Sequence, residues 1–369
     1  MKNKTKKVGL YNPYLDTLGG GEKHILSILE VFAEQGYEIN IFWDKNLTKE
    51  IKDRFGFQFI NTTKFLPNIF ISHSSSLKTL KTISDFDYFF YVTDGSYFFS
   101  GAKNNFVFCM VPDKKLYNLN FLNRIKLWNY KFISNSPYTT KWLTKCNINP
   151  ITIPPYIDDK LFNNNQNKKE KVILSVGRFF PQLHNKNQEK IIKVFKKLKN
   201  KSKEFSDYKL ILAGGLKKED QSYFDNLKEL VSDGSSIIFK PNLPLYELYE
   251  LYELSGYFWH FTGLGIDENI NPEKVEHFGI APLEAMASGC LTYCYGAGGP
   301  KEFIADSKNG FLFSNVNELI SKMIKTNSND SLKRKISDNG KDFVKRKFSY
   351  EAFKEKVLNL FKVRPSSKD

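Results

Sequence analysis

The sequence predicts an α/β protein built as two doubly wound domains, each a parallel sheet with helices on both faces. Three observations carry that reading. Short apolar runs alternate with amphipathic helical stretches from Val8 onward, the pattern of strand and helix units wound around a parallel sheet. The alternation pauses between Ile151 and Glu170, where prolines are followed by an asparagine-rich polar run, and then restarts, as a connection between two such domains would require. A chain of 369 residues is long enough for two buried cores.

In the first domain, Val8 to Tyr11 reads as a strand, Asn12 to Gly21 as a loop ending in Gly19, Gly20 and Gly21, and Glu22 to Gln35 as an amphipathic helix. Ile25, Leu26, Ile28, Leu29, Phe32 and Ala33 form its inward face, and Gly36 stops it before the strand Glu38 to Trp43. A glycine loop after the first strand lies where doubly wound sheets bind ligands, beyond the carboxyl ends of the strands. A dinucleotide site would need G-x-G-x-x-G, and G-G-G-E lacks that spacing. Further strands at Phe86 to Val92, Phe106 to Val111 and Phe132 to Ser134 run into polar residues. Asp94, Asp113 and His73 are thereby candidates for contacting a ligand hydroxyl, with helix-cap or turn roles as the alternative for the two aspartates. Phe121 to Phe132 mixes bulky apolar groups with Arg124, Lys126 and Lys131; a helix packed on the first domain is expected, with a membrane interface as the alternative.

The second domain continues with strands at Lys171 to Val176, Lys209 to Ala213 and Ser236 to Phe239, and helices at Gln188 to Leu198, Glu219 to Val231 and Pro244 to Leu254. Arg178 and Lys186 sit on the loop after its first strand, where fixed positive charge can hold an anionic group. Gly256 to Phe261 and Cys290 to Tyr295 read as strands flanking a short helix from Pro282 to Gly289. Pro282 is expected at its first position, Glu284 in its first turn, and Gly289 as its left-handed stop. The free N–H groups and positive end of that helix would face whatever lies above Phe278, Gly279 and Ile280, an anion site.

Glu276 and Glu284 are eight residues apart. On one helix they would stand about 12 Å apart and out of line, whereas with Glu276 on the loop both can face one crevice. A phosphate would repel them, so they are read as acceptors for hydroxyls. Two hydroxyl-reading acids around a phosphate cradle describe a nucleotide sugar. Gly298, Gly299 and Pro300 then form a turn into another helix near Glu302, and Lys333 to Lys347 and Ser349 to Lys362 read as closing helices.

The run E-H-F-G-I-A-P-L-E-A-M-A-S-G, with G-G-P-K-E beyond it, resembles the E-x7-E signature of the retaining, GT-B-fold glycosyltransferases of family 4. The resemblance implies two Rossmann-like domains facing across a cleft: residues 1–158 on the acceptor side, 159–347 holding the nucleotide-sugar donor, and 348–369 as a helix crossing back to the first domain plus a tail. It implies metal-independent transfer of a hexose from a nucleoside diphosphate sugar to a glycan or lipid-linked hydroxyl with retained configuration, and no other cofactor. Glu276 takes the catalytic, sugar-contacting position and Glu284 the ribose. Arg178 and Lys186 take the diphosphate, and the backbone of Phe278, Gly279 and Ile280 the sugar-phosphate junction. Gly298 and Gly299 approach the donor, and Gly20 and Gly21 the diphosphate or the acceptor. His184 and Asn185 lengthen the gap before Lys186, so Arg178 is the firmer assignment. E-H-F-G-I is similar to mannosyltransferases of lipid-linked glycan assembly, which tilts the donor toward GDP-mannose and leaves UDP-hexoses open. Asp85-Phe86-Asp87 spells the D-x-D of a metal-dependent transferase fold but precedes a strand instead of following one, and is read as structural.

Composition bounds the rest. The 55 basic residues against 40 acidic give a net charge of +15, suited to nucleoside diphosphates and to peripheral contact with an anionic membrane face. No run of 18 apolar residues occurs and the amino-terminal run is lysine-rich, so a cytoplasmic protein is expected. Cys109, Cys146, Cys290 and Cys294 lack metal spacing, the five histidines form no H-E-x-x-H cluster, and no metal is expected. Two other readings stand beside the main one. A sugar-nucleotide epimerase or inverting transferase on the same scaffold is opposed by the E-A-M-A-S-G run. A basic nucleic-acid-binding protein is opposed by dispersed charge and the lack of a binding signature.

Overall fold

Strands such as Tyr88-Phe89-Phe90-Tyr91-Val92 are apolar on both sides, which suits a parallel sheet covered by helices on both faces. The computed structural model describes residues 5–70, 76–162, 169–182, 185–231 and 236–363. It divides the chain into two units, Met1–Pro155 with Glu351–Asp369, and Tyr156–Tyr350.

The first unit carries β1 (Lys7–Tyr11), β2 (Glu38–Phe42), β3 (Lys64–Leu66), β4 (Tyr88–Val92), β5 (Asn104–Cys109), β6 (Tyr130–Ser134) and β7 (Ile151–Thr152). They form a parallel sheet in the order β3-β2-β1-β4-β5-β6-β7. Its helices are α1 (Gly20–Glu34), α2 (Thr48–Phe55), α3 (Ser76–Ile83), α4 (Phe121–Lys126) and α5 (Pro137–Thr144). Strand order reverses between β1 and β4, which opens a crevice at their carboxyl ends.

Two expectations are corrected here. Ile151-Thr152, read as linker, pairs with Ile133 and Ser134 as the edge strand, because two β-branched residues suit a pleated edge despite the prolines after them. The stretch from Phe121 is not a packed helix: α4 has six residues and none is buried.

The second unit carries β8 (Glu170–Val176), β9 (Lys209–Gly214), β10 (Ile237–Pro241), β11 (Ser255–His260), β12 (Leu291–Tyr295) and β13 (Phe311–Phe313). They form a parallel sheet in the order β10-β9-β8-β11-β12-β13. Its helices are α6 (Gln188–Lys201), α7 (Gln221–Glu229), α8 (Leu245–Leu254), α9 (Ile280–Ala287), α10 (Pro300–Phe303), α11 (Val316–Asn327) and α12 (Asp330–Phe348). Side-chain alternation divides the core: Ile173, Leu210, Tyr257 and Trp259 pack on one face of the sheet. Leu174, Ile211 and Phe258 pack on the other, with Leu283 and Met286 of α9.

The final helix, α13 (Tyr350–Phe361), belongs to the first unit from Glu351 on. The Tyr88 hydroxyl donates to the Phe361 carbonyl at 3.0 Å. The Phe361 ring meets Phe106 edge-on at 4.8 Å, and Lys354 pairs with Glu34 at 2.8 Å.

Candidate active site

The order of the second sheet reverses between β8 and β11, so the loops that follow these two strands flank its ligand crevice. Arg178 and Lys186 lie on the loop after β8. His260 ends β11, and the loop after it carries Glu276 into α9. Alternation along β11 turns His260 to the face of Phe258, with the two rings parallel at 6.4 Å. That is the face on which α9 packs.

Glu276 is the centre of the cluster. Its Oε2 accepts from Lys186 Nζ at 2.6 Å and lies 2.9 Å from His260 Nε2. Burial works to raise the Glu276 carboxyl, but the Lys186 charge and the His260 hydrogen bond outweigh it and hold the group well below the ordinary carboxylate range. Burial lowers His260 in turn, against the pull of Glu276. A neutral imidazole beside an ionised carboxylate must be the Nε2–H donor. The Glu276 side chain keeps 17% of its surface exposed, Lys186 keeps 21% and His260 3%, so the carboxylate is held from behind by the histidine and remains reachable in front. Arg178 is exposed, with its guanidinium 5.5 Å from the Phe180 ring, and takes no acidic partner among the described residues.

Helix α9 starts earlier than its proline suggested. Gly279 caps it at φ 106°, Ile280 is its first residue, Pro282 its third, and Glu284 lies beyond the first turn. A cap at that φ is open to glycine and strained for other residues, which outranks the preference of proline for a first position. Gly289 stops the helix at φ 76°, as expected. Glu284 is buried and accepts from the Tyr252 hydroxyl at 2.9 Å. Tyr249, one turn earlier on α8, donates to Asp158 at 2.9 Å. The L-Y-E repeat thus puts two tyrosines on one helix face toward two acids.

The Gly298-Gly299 turn approaches protein backbone closely. A Cβ on Gly298 would lie 2.1 Å from the Glu276 carbonyl oxygen, and one on Gly299 2.3 Å from that of Phe278. Gly299 N–H donates to the Glu276 carbonyl at 2.7 Å. Gly298 N–H donates to Glu268 at 2.6 Å, and Glu268 also pairs with Lys301. The turn therefore braces the loop that bears Glu276. The Phe278 side chain is buried against Phe303 and Phe348, leaving its backbone and that of Gly279 and Ile280 as the groups at the helix end.

In the first unit, Gly20 and Gly21 are the first residues of α1 and not loop residues. Gly19 N–H is bonded to Glu22 Oε2 at 2.9 Å, so the helix caps itself before the expected start. A Cβ on Gly21 would lie 2.3 Å from Met110 Sδ, which accounts for the glycine by packing. Asp94 accepts from the Tyr91 hydroxyl at 2.5 Å and from Ser96 N–H at 2.9 Å. Asp113 caps the next turn through Lys115 N–H at 2.9 Å. Both aspartates thus have the turn and cap work that their positions allow. His73 and His184 lie outside the described residues. Asp87, of the D-x-D, holds Lys7 N–H and Lys103 at the amino end of β4, away from the crevice. The sequence reading missed His260, Tyr252 and Glu268. The signal for His260 was present: a polar residue ending an apolar strand beside the crevice.

Two parallel, doubly wound sheets, each reversing its strand order beside a crevice, define a two-domain α/β scaffold. The chain belongs to the glycosyl transferases group 1 family, whose description matches residues 157–343, nearly all of the second unit. It is 33% identical over 192 residues to the GDP-Man:Man(3)GlcNAc(2)-PP-Dol alpha-1,2-mannosyltransferase of Xenopus tropicalis, a match covering 49% of this chain and 37% of that protein. It is 27% identical over 215 residues to the alpha-1,3/1,6-mannosyltransferase ALG2 of Kluyveromyces lactis, covering 53% and 41%. The matches thus span about two-fifths of the length of these relatives. The structure of Anabaena Alr3699/HepE in complex with UDP and glucose superposes with a TM-score of 0.72 at 16% identity, covering 97% of this chain and 99% of that one. That likeness extends the GT-B fold over both units.

Proposed function

We propose that this protein transfers a hexose, with mannose the favoured sugar, from a nucleoside diphosphate sugar to a hydroxyl of a lipid-linked glycan, with retention at the anomeric carbon. The observation that carries the reading is the convergence of Lys186 and His260 on one oxygen of Glu276 at the ends of β8 and β11. An ionised, doubly hydrogen-bonded carboxylate is a poor proton acceptor and a good anchor for sugar hydroxyls. Glu276 therefore orients the hexose, Glu284 reads the ribose, and Arg178 with Lys186 neutralises the departing diphosphate. The backbone of Phe278, Gly279 and Ile280 takes the sugar-phosphate junction. The acceptor oxygen bonds to the anomeric carbon as the bond to the phosphate oxygen breaks, and the acceptor proton passes to that phosphate oxygen on the same face.

The fixed cations replace a metal in this scheme, so transfer is expected to survive EDTA, and no cofactor beyond the GDP- or UDP-linked sugar is needed. GDP-mannose is favoured because it is named as donor for the Xenopus relative, and a lipid-linked acceptor because its acceptor is dolichol diphosphate-linked. No helix among the described residues is long and apolar enough to cross a membrane, which is compatible with a cytoplasmic enzyme of envelope-glycan assembly in peripheral contact with the membrane. Incubation with GDP-mannose or UDP-glucose and a lipid-linked glycan, with the product anomer read by NMR, tests the proposal. A retained mannosyl linkage is expected; an inverted linkage, or no turnover of either donor, overturns it.

A further inference from the structure

The chain between β5 and β6 presents bulky apolar side chains to solvent. Phe121 is 77% exposed, Leu122 65%, Ile125 42% and Trp128 78%. This surface is anchored to the first unit. Asn120 caps α4 through Asn123 N–H at 2.9 Å, Arg124 Nε donates to the Leu119 carbonyl at 2.9 Å, and the segment is rooted by buried Leu127 and Tyr130. Asn129 Nδ2 donates to the Ser100 carbonyl at 2.9 Å, tying in the loop that carries Phe99, itself 41% exposed. Exposed side chains of this size in one short segment form the kind of apolar patch that marks an interaction surface.

The charge around the patch selects the partner. Between Asp113 and Lys131 there are five basic residues, Lys114, Lys115, Arg124, Lys126 and Lys131, and Asp113 is the one acid. Lysine is depleted in protein–protein interfaces relative to the rest of the surface. Basic residues interleaved with Trp, Phe and Leu suit the boundary between headgroups and acyl chains of an anionic bilayer. We propose that Phe121, Leu122, Ile125 and Trp128, with Arg124 and Lys126, form the surface by which this protein docks on an anionic membrane. The inference rests on the lipid-linked acceptor proposed above and names the residues that bring the enzyme to it.

Full-length protein is mixed with sucrose-loaded vesicles of phosphatidylcholine alone, or with 30% phosphatidylglycerol, and sedimented. Binding is expected to the anionic vesicles only, with a blue shift in fluorescence that Trp128→Phe removes. The Phe121→Ser/Leu122→Ser/Trp128→Ser variant and the Arg124→Glu/Lys126→Glu variant are each expected to bind at least about tenfold more weakly. Both should keep the wild-type melting temperature and its shift with GDP, because α4 buries nothing. Absence of vesicle binding by the wild type, equal binding by either variant, or a concentration-dependent dimer in light scattering that both variants abolish would overturn the proposal. Neither sedimentation nor fluorescence depends on turnover, so failure of the docking surface is distinguishable from failure of the transferase reading.

Discussion

The carboxylate of Glu276 shows how a largely buried group is kept ionised. Desolvation opposes its ionisation, and the two donors beside it reverse the balance. A carboxylate depressed in the folded state contributes stability above its unfolded value near 4.5 and loses it as the pH falls through the folded value. Lys186→Met removes the charge paired with this carboxylate, so the acid limb of the pH-rate profile should move to higher pH. An unmoved limb in that variant would contradict the pairing. His24 supplies a second titration away from this cluster. Burial lowers it from 6.5 to about 3, against a backbone hydrogen bond at Ile153. The unfolded chain therefore takes a proton that the folded chain refuses, and stability falls as the pH drops from 6.5 toward 3. Denaturant titrations between pH 7 and 4 should show a slope of up to about 1.4 kcal/mol per pH unit from this group, removed in His24→Leu.

Helix α9 and the Gly298-Gly299 turn act as one element, because the turn presses on the backbone that carries Glu276. Gly299→Ala would force a Cβ to within 2.3 Å of the Phe278 carbonyl oxygen. The expected result is a stability loss of about 2 kcal/mol and at least a hundredfold loss of transfer, seen by calorimetry and donor turnover; near-normal turnover would show that the brace is dispensable. At this scale the sequence was legible where burial imposed a period. Strands β8 to β12 of the second unit and the left-handed stop at Gly289 follow from alternation and glycine. The start of α9 did not, because Gly279 at φ 106° and Pro282 compete for the same role and the backbone conformation decides. Strands β3 and β13 and helices α2, α3 and α5 were too short to stand out, α11 was passed over, and β7 was hidden by neighbouring prolines.

Across the whole molecule, two parallel sheets with the same reversal of strand order repeat one plan, and this plan was readable because each strand is an apolar run followed by a polar turn. The partners in the candidate site were not readable to the same degree. Lys186 and Glu276 are 90 residues apart, and only the sheet order brings the ends of β8 and β11 together. Glu276, Glu284, Arg178 and Lys186 could be named from motif spacing. Tyr252, which holds Glu284, could not, because its contact is tertiary; His260, which holds Glu276, left only the signal of a polar residue ending an apolar strand. The exposed surface of α4 was misread as a packed helix because an amphipathic spacing does not reveal whether anything covers the apolar side. The most direct measurement of the account is donor transfer by Glu276→Gln, a change that keeps the shape and removes the charge. The account predicts a folded protein with a wild-type melting temperature within a few degrees, unchanged affinity for the nucleoside diphosphate, and transfer reduced at least about a hundredfold. Transfer at close to the wild-type rate would contradict it.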